Sequence, residues 1–138
     1  MRELPRQLSV AELEELFGGP STLVQVLAET ENPLDRAQEV AARLPERDKL
    51  EALAAHPRIG EPSPEQHGGD PTVLTELAYL NQVYEEKFGF RFVVFVDKRP
   101  RSELLPVLRE RLARTPEEEL DTGIRELVAI AQDRWQSG

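Results

Sequence analysis

The chain has 138 residues, a formal net charge of −9, 31% charged and 39% hydrophobic residues, and no cysteine. That length suits one domain, 1–138, with a buried core, and the absent cysteines exclude a disulfide framework, a thiolate nucleophile and a cysteine zinc site. The acidity argues against nucleic acid and anionic membrane, and no run reaches membrane-spanning length or reads as a signal peptide, so a cytoplasmic protein is expected.

Ser9-Val10-Ala11-Glu12 is a capping box, and Leu13, Leu16 and Phe17 follow at helical spacing until Gly18-Gly19-Pro20 ends the helix. Ser21 caps a second helix with Leu23, Val24, Leu27 and Ala28 on one face. Asn32-Pro33 reads as N-cap plus first-turn proline and opens a third helix through Ala41-Ala42. Pro45 restarts a fourth, whose Leu50, Leu53 and Ala54 lead into His56.

The stretch from Ala55 to Gly69 breaks the pattern. Three prolines and three glycines fix an irregular path around His56, Arg58, Glu61, Glu65, Gln66 and His67. Pro57 pushes the backbone of His56 out of the helical region, which throws its ring off the helix end. A purely structural loop is one reading of this cluster. Metal binding through His56, Glu65 and His67, with Glu61, matches no familiar ligand spacing. Ser63 lacks the surroundings of a nucleophile elbow, and Gly60, Gly68 and Gly69 match no phosphate-binding loop. General acid–base work by His56 with Glu65 and an arginine anchor is the remaining chemical reading.

Asp70-Pro71 repeats the cap-proline signal, and Val73, Leu77, Leu80, Tyr84 and Phe88 recur at helical steps until Gly89 ends the helix in a left-handed conformation. Residues 90–96, Phe90 to Val96, are β-branched and aromatic and read as strand, yet no second segment offers a partner. The alternative is an extended buried segment whose backbone groups bond elsewhere, a ligand included. Ser102 begins a helix carrying Leu104, Leu105, Leu108 and Leu112, and Thr115-Pro116-Glu117-Glu118 caps a last helix with Leu120, Ile124, Leu127, Val128, Ala131 and Trp135. At about 100° per residue Arg134 falls within about 20° of Leu127, so it joins the apolar stripe, either snorkelling at a frayed end or aimed into a pocket.

Three groups of residues together resemble the OHCU decarboxylase family, whose substrate is 2-oxo-4-hydroxy-4-carboxy-5-ureidoimidazoline. They are Ala55-His56-Pro57-Arg58-Ile59-Gly60-Glu61 with Glu65-Gln66, the run from Leu80 to Val93 with its Lys87-Phe88-Gly89-Phe90 core, and the closing Ile130-Ala131-Gln132-Asp133-Arg134-Trp135. The resemblance implies an all-α, compact single-domain bundle of about seven to eight helices, with the extended apolar segment 90–96 lining the pocket. It implies a homodimeric lyase of urate degradation that needs no cofactor and no metal and yields (S)-allantoin. His56 would be the proton donor, working with Glu65. Glu65 and Gln66 would contact substrate, Pro57 would line the same pocket, and the backbone of Arg91, Phe92, Val93, Val94 and Phe95 would face the ring. Arg134 would clamp substrate from the last helix. Ser63 stands one place nearer the glutamate than the family's serine, with Pro62 in the matching position, so its contact depends on a shortened loop. The alternatives are an acid–base lyase or isomerase on another planar ring anion, and a helical interaction module without activity. On the buried stripe and away from substrate, Arg134 would be an unpaired charge, so Arg134→Met is expected to leave the free protein as stable or more so.

Overall fold

Local signals set most helix boundaries. The structure, a computed structural model, describes residues 3–56 and 71–137. Seven helices appear among them: α1 (Val10–Phe17), α2 (Thr22–Ala28), α3 (Pro33–Ala42), α4 (Glu46–Ala55), α5 (Pro71–Phe88), α6 (Arg101–Leu112) and α7 (Pro116–Ser137). No strand is present among the described residues, so the fold is all-α as expected.

The Ser9 hydroxyl accepts from the Glu12 amide while the Glu12 carboxylate accepts from the Ser9 amide, which closes the expected capping box. Thr115 and Glu118 repeat the device before α7. Backbone N–H donors at Ser9, Thr22 and Thr115 are the main reason the carboxyls of Glu12, Glu51 and Glu118 sit below the usual carboxylate range. Asn32 departs from expectation. It stands before α3 in a left-handed conformation (φ 55°), its backbone N–H donating to the Arg6 carbonyl at 2.8 Å, and its side chain makes no cap. Gly89 closes α5 at φ 80°, a value that favours glycine, and its amide reaches the Glu85 carbonyl at 2.9 Å.

Helix α7 packs against α1, α3 and α4, and α5 pairs with α6. At Gly123 on α7 a Cβ would stand 3.3 Å from Leu53 Cδ2, so hydrogen at that position lets α4 come close. The apolar side chains form two clusters. One joins α1 to α4 with α7, and the other joins α5 with α6.

The extended run lies between them and explains its own composition. Val93 is buried in the first cluster, with Phe95 packed against it, while Phe92, Val94 and Val96 are buried in the second. Successive side chains of an extended chain point to opposite faces, so a ribbon between two apolar layers is apolar at every position from Phe92 to Val96. The run therefore looks like a central strand without any sheet. Burying roughly five such side chains contributes on the order of 10 kcal/mol before conformational entropy is subtracted.

Candidate functional site

His56 caps the C-terminus of α4 with φ −85° and ψ 139°, the extended geometry its following proline imposes, and only 5% of its surface is exposed. Its amide stays tied to α4 through the Leu53 carbonyl at 3.2 Å. Its carbonyl accepts from Arg91 Nη1 at 2.7 Å, so the start of the extended run is pinned to the end of α4. A cleft of about 470 Å³ opens beside Arg91, lined also by Leu50, Ala54, Glu85 and Phe90.

The two edges of the extended run differ. In an extended chain the N–H and C=O of one residue share an edge, and alternate residues face opposite edges. On the edge shared by Val93 and Phe95, the Val93 carbonyl accepts from Arg111 Nη1 at 2.6 Å. The Phe95 amide donates to Glu126 Oε1 at 3.4 Å, and its carbonyl accepts from Arg99 Nη2. On the other edge the Val96 carbonyl accepts from the Arg99 amide at 3.0 Å and from Arg99 Nε at 2.9 Å, while the main-chain groups of Phe92 and Val94 make no hydrogen bond among the described residues. Buried main-chain groups are nearly always paired, so this edge is where a planar ring with N–H and C=O groups would find donors and acceptors.

Arg134 lies near the same corner. Its Nη1 donates to the Leu16 carbonyl at 3.1 Å and, more weakly, to the Glu15 carbonyl at 3.4 Å. The turn after α1 packs on α4, since a Cβ on Gly19 would stand 3.3 Å from the carbonyl oxygen of Ala55, the neighbour of His56. The guanidinium thus closes the C-terminus of α1 within a few residues of the proposed proton donor. The expectation that Arg134 would be an unpaired charge in the free protein does not hold, because two main-chain carbonyls receive it.

A buried ionic knot next to the run has no local signature as a whole. Glu119 is fully buried and accepts from the Tyr84 hydroxyl at 2.6 Å, Arg111 Nε at 2.7 Å and Arg114 Nη1 at 3.1 Å. Arg111 spreads its guanidinium over the Phe92 ring, 4.5 Å from the centroid, and lies 5.9 Å from that of Tyr84. Burial, and then the hydrogen bond to Glu119, push the Tyr84 hydroxyl well above the usual tyrosine range. Arg111 recurs at helical steps from Leu104 and Leu108, so its place on the buried stripe was readable from spacing. Its partner Glu119 sits inside a run of acidic first-turn residues that reads as solvated.

Pro57, Glu61, Ser63, Glu65, Gln66 and His67 lie outside the described residues. Of the expected site residues, the structure brings His56 and Arg91 into contact and sets Phe92, Val93, Val94 and Phe95 along one ribbon. Among the described residues no group of three acidic or histidine side chains could hold a metal ion.

A family model described as OHCU decarboxylase matches residues 2–136. The chain is 36% identical over 104 residues to the uric acid degradation bifunctional protein TTL of Arabidopsis thaliana, covering 63% of this chain and 32% of that one. It is 29% identical over 118 residues to a 2-oxo-4-hydroxy-4-carboxy-5-ureidoimidazoline decarboxylase of Haloferax volcanii, covering 77% and 68%. A uric acid degradation bifunctional protein of Bacillus sp. (strain TB-90) is 26% identical over 152 residues, with 94% of this chain and 30% of that one covered. The chain thus spans about a third of the length of the two bifunctional relatives. Among solved structures, an OHCU decarboxylase crystallised in the presence of (S)-allantoin superposes with a TM-score of 0.79 at 28% identity, covering 89% of this chain and 94% of that one. An (S)-allantoin synthase shares the fold, with a TM-score of 0.72 at 21% identity and coverage of 93% and 48%.

Proposed function

The chain belongs to the OHCU decarboxylase family, and we propose that it decarboxylates 2-oxo-4-hydroxy-4-carboxy-5-ureidoimidazoline (OHCU) to (S)-allantoin in urate degradation, with His56 as proton donor. The observation that carries this reading beyond family membership is the extended run, bonded to protein along one edge and presenting Phe92 and Val94 along the other.

The substrate's carboxylate sits on a carbon next to a ring C=N. When the C–CO2 bond breaks, its electron pair becomes a ring C=C bond and the C=N pair moves onto nitrogen. The ring itself is the electron sink, so the chemistry asks for no resident cofactor. A proton delivered to the ureido-bearing carbon from one face, with the hydroxyl proton passing to the ring nitrogen, leaves the carbonyl and ring N–H of allantoin and fixes its configuration. The protein must hold the ring, turn the carboxylate out of its plane and present one proton donor to one face.

The main-chain edge of Phe92 and Val94 holds the ring in this account. His56 is buried and anchored through both main-chain groups, which suits a donor that must meet one carbon. Arg134 clamps a substrate oxygen, and Glu65 and Gln66 take the ureido N–H groups, with Pro57 and Ser63 completing the wall. The protein is proposed to act as a cytoplasmic homodimer on this small molecule, a single domain over 1–138, without nucleic acid, membrane, metal or cofactor. No described helix is long and apolar enough to cross a membrane.

Product binding tests the reading. With (S)-allantoin at about 100 times its dissociation constant, linkage gives about 2.7 kcal/mol of added stability, a clear rise in melting temperature. An unchanged melting temperature up to the solubility limit of allantoin counts against the site.

A further inference from the structure

We infer that Arg111, remote from the reacting atoms, is a positioning residue that sets the direction of the substrate-facing edge by holding the Val93 carbonyl. The inference rests on the reading that the edge of Phe92 and Val94 meets the ring. A trans peptide is planar, and its C=O and following N–H point in opposite directions. No cis peptide occurs among the described residues. The bond from Arg111 Nη1 to the Val93 carbonyl, 2.6 Å long, therefore also aims the Val94 amide, which leaves the other side of the same plane. The same guanidinium lies over the Phe92 ring at 4.5 Å, so one side chain orients residues on both sides of Val93.

Arg111 is itself held firmly. Its Nε donates to Glu119 at 2.7 Å, and Glu119 is fixed in turn by Tyr84 and Arg114. The guanidinium thus forms a rigid link from α7 to the run, with α6 supplying the side chain.

Stability alone explains this arrangement poorly. A buried ion pair is often replaceable by apolar side chains without loss, because desolvation cancels much of the attraction. Here Arg111 Nη2 is also buried with no hydrogen-bond partner among the described residues, a cost that a purely structural brace would avoid. What the planar fork provides, and an apolar side chain cannot, is a fixed direction for one carbonyl.

The test compares Arg111→Lys with Tyr84→Phe, which weakens the same knot from the side that does not touch Val93. For each, the melting temperature, kcat and KM on enzymatically generated OHCU, and the (S)-allantoin dissociation constant are measured. An ammonium retains the charge toward Glu119 but cannot span Glu119 and Val93 in one plane. Arg111→Lys is expected to lower kcat/KM by at least about 30-fold and weaken allantoin binding, while Tyr84→Phe stays within about threefold of the parent. If Arg111→Lys tracks Tyr84→Phe in kinetics, Arg111 is a brace only and the inference fails. Should Arg111→Lys not fold, Glu119→Gln loosens the guanidinium while keeping the shape. A loss of at least about fivefold in kcat/KM then supports positioning, and parent-like kinetics overturns it. A parent protein that leaves OHCU decay unchanged overturns the functional reading and this inference together, whereas an active parent with unaffected variants overturns this inference alone.

Discussion

The guanidinium of Arg91 donates to the carbonyl of His56 at 2.7 Å, tying the start of the extended run to the residue proposed to deliver the proton. A charge-assisted bond of this kind contributes about 1.5–3 kcal/mol. Its larger role here is to keep the His56 backbone from drifting against the wall that holds the ring. Arg91→Met should lower kcat by about tenfold with a smaller change in KM, since a misplaced donor costs the chemical step more than binding. Steady-state kinetics on OHCU, beside a melting curve, checks this. A variant that loses stability but keeps kcat would show that the contact serves the fold alone.

Arg134 has two duties in this account, and they separate by measurement. Its Nη1 closes the C-terminus of α1 on the carbonyls of Leu16 and Glu15. Arg134→Met should therefore lower stability by about 1 kcal/mol, where spacing alone pointed to no loss or a gain. The clamp on substrate should cost more, about 2–5 kcal/mol in affinity for a desolvated charged pair. Calorimetric titration with (S)-allantoin and a melting curve distinguish the two. Equal small losses in both would leave Arg134 as a helix cap.

Tyr84 gives the fold an alkaline limb. Burial first, and then donation to Glu119, raise its hydroxyl above the ordinary tyrosine value. For a raised folded-state pKa the folded state keeps the proton longer than the unfolded chain. The contribution is therefore complete below about pH 10, the unfolded value, and is lost as pH rises beyond it. Tyr84→Phe should be less stable than the parent at pH 7 by about 1–3 kcal/mol, because Glu119 loses a donor. Its stability should then fall less steeply above about pH 10. Urea unfolding across that range reads both effects, and parallel alkaline limbs would refute the assignment. On the acid side the sign reverses. Glu12, Glu51 and Glu118 have lowered values, so their contribution stands above the ordinary carboxylate range and fades as pH falls below it.

Asn81 lies on the buried face of α5 with Leu77, Tyr84 and Phe88, and its Oδ1 makes no hydrogen bond among the described residues. An amide buried in this way opposes folding. Asn81→Leu, similar in size and apolar, should raise stability by about 1 kcal/mol and the melting temperature by a few degrees. Thermal denaturation decides the point, and a clear drop would mean that the amide is already satisfied.

The helices were legible because their signals are local. The Ser9–Glu12 and Thr115–Glu118 boxes, Pro33, Pro71 and Gly89 each act within a turn of themselves, and each appears where its chemistry predicts. His56 was legible for the same reason, since Pro57 alone dictates its extended backbone. The extended run was half legible. Its β-branched residues announced an extended chain, but only the two flanking clusters show that both faces are buried without a sheet. The knot of Tyr84, Arg111, Arg114 and Glu119 was not legible, because it forms only when α5, α6 and α7 meet. Helical steps from Leu104 and Leu108 would have put Arg111 on the stripe of α6, as helical spacing put Arg134 on that of α7. Nothing local, however, paired it with a glutamate that reads as solvated.

The most direct measurement follows chirality. Urate is oxidised enzymatically in the presence of this protein, so that OHCU is made in the cuvette, and circular dichroism records the allantoin that forms. The account predicts rapid growth of an (S)-allantoin signal in proportion to protein concentration, and with His56→Asn a return to the slow, achiral background while the protein keeps its melting temperature. Allantoin that forms at the spontaneous rate with the parent protein, or a His56→Asn variant as fast and as selective as the parent, would contradict it.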